Sequence, residues 1–286
     1  MRKLAVALFS VAACGGGSAT PDAHVVQIID ARPIDAPTPV DVLPIDAQAY
    51  DFTCLGMAEP TTAPATITIA GTTQEITTGG INALVGASVA SFKAGTATAL
   101  DTVTSGAAGA FTSGNLTTSS VPLPGYIEAT VPAVGGTAND YRATFLYPPA
   151  PLAKSVANAP VIMIKNTTLA QVGSFLGGFT QDDTVNGALF IAVTDCANTP
   201  INGATLSVKQ GSTDVGAMSV DLGSLSAQAA GTFFVFNVPA GATDVTASYM
   251  GHNFPVHSVT SYKKATGTLP NGALTITIVR PGPLLP

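Results

Sequence analysis

The sequence predicts an all-β protein with two β-sandwiches in tandem, preceded by a signal peptide and a disordered linker and joined by one short inter-domain helix. Composition is the first observation: hydrophobic residues make up 46% of the 286 residues and charged residues only 10%. Glycine (29) and proline (21) are both frequent, as in turn-rich β structure. From residue 62 onward, short β-prone runs alternate with turn signals, which is the pattern of a sandwich.

Residues 1–13 are predicted to be a signal peptide, since a basic start is followed by a short apolar run from Leu4 to Ala13. The segment Val11-Ala12-Ala13-Cys14 resembles the bacterial lipobox. The resemblance implies that Cys14 is lipidated, with palmitate as an acyl chain, and becomes the first mature residue of a lipoprotein in the cell envelope. In a Gram-negative host, Gly15 in place of aspartate favours sorting to the outer membrane, where the protein could be exposed at the cell surface. A secreted or cytoplasmic protein with a chance cysteine is the alternative.

Residues 14–61 are predicted to form a disordered tether rich in Pro, Ala and Asp. The phrase IDARPIDAPTPVDVLPIDA repeats Ile-Asp-Ala, but its isolated apolar residues lie between Pro and Asp and cannot form one apolar face. Calcium binding by the spaced aspartates is an alternative. The irregular spacing and the lack of a Gly-containing ligand loop count against it.

Candidate strands occur in two groups, which define sandwiches over residues 62–150 and 186–281. The first group comprises Thr66–Gly71, Ser88–Lys93, Ala108–Thr112, Tyr126–Val131 and Tyr141–Tyr147; the second comprises Ala188–Thr194, Ala204–Lys209, Gly231–Asn237, Asp244–Tyr249 and Ala273–Val279.

The intervening residues 151–185 contain one more strand, Val161–Ile164, and a short helix after it. Asn166 or Thr167 is suited to begin this helix, and Gly177-Gly178 is suited to end it.

An internal repeat relates the two groups. Each has a Gly-Ala turn that opens a strand, at Gly86 and Gly203, then a Gly-x-Phe strand, at Gly109 and Gly231, and then a turn containing Pro and Gly before a further strand. The stretch PINGATLSVKQGSTDVG and its continuation resemble the carboxypeptidase regulatory-like domain, a transthyretin-like sandwich. The resemblance is closer in the second group. It implies two transthyretin-like or Ig-like sandwiches that act as structural or interaction modules beside other domains.

Catalysis, metal binding and nucleic-acid binding have no support in the sequence. There are 3 histidines, no Gly-x-Ser-x-Gly motif and no clustered zinc ligands, so we predict no catalytic residues, metal or cofactor. The net charge of -6 leaves no basic surface for nucleic acid. The expected partners are the membrane, through the lipid anchor, and a protein or glycan.

Tyr249 to His257 is the most ligand-like segment. Tyr249, His252, Phe254 and His257 are candidates for a small carbohydrate-binding platform, which would make the protein a carbohydrate-binding module. The alternative is a loop whose Phe254 packs into the end of the sandwich.

The cysteines suggest one disulfide. If Cys14 is lipidated, Cys54 and Cys196 remain as an even pair in an oxidising compartment. A bond between them would fasten the end of the tether to the second sandwich. Two free thiols are the alternative, since the sequence gives no distance between them. The function these observations favour is that of a non-catalytic, membrane-anchored structural or adhesive surface protein.

Overall fold

The computed structural model describes residues 49–77, 80–133, 139–225, 227–265 and 268–283. The signal peptide, Cys14 and most of the tether lie outside the described residues. From Tyr50 onward the chain forms one compact unit.

The structure is almost entirely β, as predicted. Its strands are β1 Thr66–Ile67, β2 Ile69–Thr77, β3 Gly80–Ala83, β4 Ser88–Lys93, β5 Ala99–Thr104, β6 Ala110–Thr112, β7 Leu116–Thr117, β8 Gly125–Thr130, β9 Ala143–Tyr147, β10 Val156–Ile164, β11 Asn186–Val193, β12 Thr205–Gln210, β13 Thr213–Asp214, β14 Ser219–Asp221, β15 Thr232–Pro239, β16 Gly241–Tyr249, β17 His252–Asn253, β18 His257–Ser261 and β19 Ala273–Val279. The helix α1 is Asn166–Phe175, and short 3-10 turns cover Ala107–Gly109 and Ala227–Ala229.

One eight-stranded sheet, the central sheet, contains strands from both predicted sandwiches. Its order is β14-β15-β11-β19-β9-β8-β4-β5. The first outer sheet consists of β2, β3, β6 and β10, and the second outer sheet consists of β12, β13, β16, β17 and β18. The two sandwiches are therefore present, and they share the central sheet. The shared strand is β19, which pairs in parallel with β9 of the first group and with β11 of the second.

The two outer sheets cover opposite faces of the central sheet. Along β11, Phe190 packs in the core with the first outer sheet, whereas Leu189 and Ile191 pack in the core with the second. In β15, Phe234 and Phe233 divide between the same two cores. Successive side chains of a strand point to opposite faces, so a strand buried on both faces must be apolar throughout. The central residues of β11, Ala188–Val193, and of β15, Phe233–Phe236, meet this requirement.

The internal repeat is visible in the strand pairing. β4 pairs with β8 as β12 pairs with β16, and β2 pairs with β6 as β11 pairs with β15. Gly109 and Gly231 have φ values of 73° and 67°. A Cβ at Gly109 would lie 2.2 Å from the Thr73 carbonyl oxygen, and one at Gly231 would lie 2.6 Å from that of Val193. Glycine is thus required at both equivalent turns for the same physical reasons.

The helix α1 follows β10 as the sequence predicted. Asp140, from the loop before β9, accepts hydrogen bonds from the backbone N–H and the hydroxyl of Thr167, and so caps the helix from outside it. Leu169 is buried in the core with the first outer sheet. The helix ends before Gly177 and Gly178, which both have positive φ.

A buried ion pair fixes the amino ends of β9 and β19. Arg142 is 1% exposed and donates to both Asp183 oxygens, with Nη1 to Oδ2 at 2.7 Å. Its Nη1 also donates to the Asn166 side chain of α1, and its Nη2 donates to the carbonyl of Ala273 in β19. Every donor direction of this guanidinium is matched, as burial of a charge requires.

We expect Asp183→Asn to lower the free energy of unfolding by about 3 kcal/mol or more, because Arg142 would stay buried without its carboxylate. Lys165 pairs with Glu75 at 2.9 Å, but the Lys165 side chain is 37% exposed. Lys165→Met should therefore cost less than about 1 kcal/mol. Urea unfolding of both variants measures the difference. Equal losses would contradict the role assigned to the Arg142–Asp183 pair.

Candidate functional site

A disulfide joins the segment before β1 to the loop after β11. Cys54 and Cys196 are bonded, with Cα atoms 5.7 Å apart, which confirms the predicted pairing. Around it, the Asp195 carboxylate accepts a hydrogen bond from the Asp51 backbone N–H, and the Cys196 N–H donates to the Asp51 carbonyl. Tyr50 to Cys54 fall within residues 14–61, which were predicted to form the disordered tether, but in the structure Tyr50 and Phe52 pack on the second sandwich and Cys54 is buried.

The carboxyl ends of three adjacent strands meet at one edge of the central sheet. The strands β9, β19 and β11 are parallel, so the segments that follow them lie side by side. These segments line a cleft of about 860 Å³, which we call the carboxyl-edge cleft. Residues 148–160 border it along one side, and Glu59, Pro60 and Thr62 border it on another. Part of its wall is apolar and belongs to the first sandwich: Ile69, Leu100, Leu116, Leu123, Ile127 and Leu146.

Arg280 and Thr194 supply the polar end of the carboxyl-edge cleft. Arg280 follows β19 and is 1% exposed; its Nη1 donates to the Asn198 side chain at 2.9 Å and its Nη2 to the Cys196 carbonyl at 2.8 Å. Burial lowers the pKa of Arg280, while Asp195 and Glu59 act electrostatically in the other direction. Arg280 Nε and Thr194 Oγ1 are both buried and have no hydrogen-bond partner.

The four residues proposed from sequence as a carbohydrate platform lie in the second outer sheet and its turns. Tyr249 and His252 face each other across β16 and β17, and Phe254 is buried in the core. The rings of Phe52 and His252 stack with centroids 4.4 Å apart, and Tyr50 packs edge-on against Tyr249. The rings expected to meet a sugar therefore contact aromatic side chains of the chain's own amino-terminal segment. This contact could not be predicted from sequence, since Tyr50 and Phe52 are about 200 residues away from the platform residues.

His257 lies apart from that cluster, in β18 opposite Val245. Desolvation lowers the pKa of His257 from 6.5 to about 4, and the positive charge of Arg280 acts in the same direction. A hydrogen bond with the Arg280 backbone opposes them. The imidazole is therefore neutral in the folded protein at pH 7, and its buried Nε2 has no partner.

An aromatic row crosses the central sheet on the side of β4, β8 and β9. Phe92 stacks on Tyr126, and Tyr126 stacks on Tyr147, both at 5.2 Å between centroids. Phe145 stacks on Tyr262 at 3.9 Å, and the hydroxyls of Tyr147 and Tyr262 hydrogen-bond at 2.9 Å. The ring faces are directed at one another and not outward. The row therefore stabilises strand pairing and offers little flat surface for stacking a sugar.

Within the part of the chain that the structure describes, no three His, Cys, Asp or Glu side chains group in a way that would hold a metal ion. Across the same residues, no helix has the length and hydrophobicity needed to cross a bilayer.

Comparison with known proteins gives only distant likenesses. No protein-family model and no curated protein matches the sequence. Among solved structures, the Bacillus anthracis TIE protein matches at 12% identity and a TM-score of 0.24, over 75% of this chain and 34% of that one. A streptococcal ancillary pilin matches at 12% identity and a TM-score of 0.23, over 76% of this chain and 62% of the pilin. GBS52, the minor pilin of Streptococcus agalactiae, matches at 11% identity and a TM-score of 0.23, over 75% of this chain and 95% of GBS52. The chain thus spans about a third of the length of the TIE protein and about three-fifths of the length of the ancillary pilin.

Replacing Cys54 and Cys196 by serine should lower the free energy of unfolding by about 2–5 kcal/mol, because the bond closes a loop of 142 residues. Guanidinium unfolding of the double variant, next to the oxidised and reduced parent protein, measures the loss. The reduced parent should match the variant. A reduced parent as stable as the oxidised one would show that the bond does not stabilise the fold.

Acid should destabilise the protein through His257. The unfolded chain binds a proton near pH 6.5, whereas the folded chain binds it only near pH 4, so stability is lost as pH falls through this window. Below pH 4 the loss attributable to this group approaches about 3 kcal/mol, at 1.36 kcal/mol per pKa unit.

Urea unfolding of the parent and of His257→Gln from pH 7 to 4 isolates this contribution as the difference between the two curves. The difference should change steadily across the window. His252→Gln serves as the matched control, because it also removes one imidazole. Parallel curves for the parent and His257→Gln would exclude His257 as the source.

Proposed function

We propose that the protein is a non-catalytic, membrane-anchored surface lipoprotein that acts as a structural or adhesive module. The observation that carries the proposal is the disulfide at the point where the tether meets the folded unit. The sequence before it contains the lipobox-like Cys14 and a long segment rich in Pro, Ala and Asp that is predicted to be a disordered tether. A single acyl chain holds a protein only weakly on a membrane, so stable anchoring requires more than one.

The position of the disulfide suits a protein that is pulled through its tether. Tension from an anchor at Cys14 would enter the unit near Tyr50 and pass through Cys54 to Cys196, which follows directly after β11. β11 is paired on both sides, with β15 and β19. The covalent link would thus deliver tension to a strand inside the central sheet, and the segment from Leu55 to Ala65, which contains no strand or helix, would not have to carry it.

The central sheet that the two sandwiches share also supports an interaction role. Two sandwiches with a common sheet hold their loops in a fixed arrangement, and loops on a rigid scaffold are the usual place for binding residues. The alternative role, carbohydrate binding through the loop from Tyr249 to His257, is less favoured. A sugar there would have to displace Phe52 from His252.

We expect Cys14→Ser to abolish acylation and to move the protein from the membrane fraction to the soluble envelope fraction, since the acylated sulfur is lost. Labelling cells with a clickable palmitate analogue, followed by fractionation, measures both effects. Ser18→Ala, which lies outside the lipobox-like segment, should remain labelled and membrane-bound. Acylated, membrane-bound Cys14→Ser protein would refute the anchoring role of Cys14.

A further inference from the structure

The two buried arginines of the folded unit differ in one respect. Arg142 and Arg280 are each 1% exposed. Arg142 has the carboxylate of Asp183 at 2.5 Å, whereas no described carboxylate lies within salt-bridge distance of Arg280. The hydrogen-bond acceptors of Arg280 are the neutral oxygens of Asn198 and Cys196. A buried guanidinium normally has an anionic partner, because desolvating an unpaired charge is costly.

The nearest candidate partners for Arg280 are already engaged or exposed. Asp195 uses Oδ2 to accept the Asp51 N–H, and uses Oδ1 to accept the N–H groups of Ala197 and Thr199. Glu59 is exposed at the border of the cleft, where desolvation raises its pKa. Neither carboxylate forms an ion pair with Arg280 in the described residues.

A second unpartnered donor lies in the same cleft. Thr194 is 8% exposed, and its buried hydroxyl has no partner. Thr194 directly follows β11 and Arg280 directly follows β19, and these strands are paired so that Val193 is opposite Val279. The polar end of the carboxyl-edge cleft therefore holds two unpartnered donors on residues that follow paired strand ends, and one of these donors is charged. Both are suited to the oxygens of a carboxylate.

The remainder of the cleft has a different chemistry. Leu100, Leu116, Leu123 and Leu146 form an apolar part of its lining, and Glu59, Lys154 and Asn158 also border the cleft. The volume of about 860 Å³ is in the range of small-molecule sites, about 300–1,000 Å³. A cleft with an apolar stretch of wall and a buried cation at one end is complementary to an amphiphile with one anionic head.

We propose that the carboxyl-edge cleft binds a single-chain fatty acid, with its carboxylate on Arg280 Nε and Thr194 Oγ1 and its acyl chain along the leucine-lined wall. The proposal does not depend on the lipoprotein function proposed above. Glu59 repels the bound carboxylate and limits the affinity. Removing the charge of Glu59 strengthens binding, and removing that of Arg280 weakens it.

Isothermal titration calorimetry of the full chain carrying Cys14→Ser, with laurate and with dodecanol as probes, tests the proposal without detergent. Laurate should bind one-to-one and at least tenfold more tightly than dodecanol. Arg280→Met should weaken laurate binding about 10- to 100-fold, in line with the loss of a charged hydrogen bond. Glu59→Gln should tighten it several-fold. No saturable binding of laurate, or equal binding of both probes, would overturn the proposal.

Two further variants keep the test decisive if Arg280→Met fails to fold. Thr194→Val should make the unliganded protein more resistant to urea, because a buried unpartnered hydroxyl is removed, and should weaken laurate binding several-fold. Leu100→Asp places a charge on the wall and should abolish laurate binding. Val121→Asp is the matched control, since Val121 is similarly exposed but lies outside the lining. Unchanged laurate affinity in both Thr194→Val and Leu100→Asp would overturn the proposal, because neither the donor nor the wall would then contribute to binding.

Discussion

Parallel pairing of β19 with β9 on one side and β11 on the other is the constraint on which the rest of the structure depends. It makes one sheet out of two repeats, so that each outer sheet finds an apolar face to cover. Parallel strands also end together, and this brings Tyr147, Thr194 and Arg280 to a common edge although they are far apart in sequence. The carboxyl-edge cleft is thus a product of topology and not of a local motif.

The three parallel strands are held at both ends by different chemistry. At their amino ends, Arg142 joins Asp183, Asn166 and the Ala273 carbonyl in a buried polar network. At their carboxyl ends, the disulfide of Cys196 brings the amino-terminal segment onto the loop after β11. Between these two points the strands are held by apolar packing on both faces. This arrangement leaves little freedom for the repeats to move relative to one another.

Features that depend on neighbouring residues, or on the number of cysteines, could be predicted from the sequence. Each predicted strand overlaps an observed one, and the helix after β10, the paired glycines 109 and 231 and the partnership of Cys54 with Cys196 could also be predicted. The strands that were not predicted are β3, β5, β7, β13, β14, β17 and β18. The shared sheet could not, because Ala143 pairs with Ala273 and no periodicity links residues so distant. The contact of Phe52 with His252 was missed for the same reason. A usable signal did exist for Arg142 and Arg280: each adjoins an apolar strand, where a guanidinium has little access to water.

The late position of β19 has a consequence for how the chain is made. β9 pairs with β8 on one side and with β19 on the other. Until β19, Ala273–Val279, has been synthesised, about 130 residues after β9, one side of β9 has no partner strand. An open parallel edge invites pairing with other chains, and contacts between such distant residues form slowly. The protein thus passes through a stage in which its first half is complete in sequence and incomplete in structure. Chaperones that bind unfolded chains would be most useful at this stage.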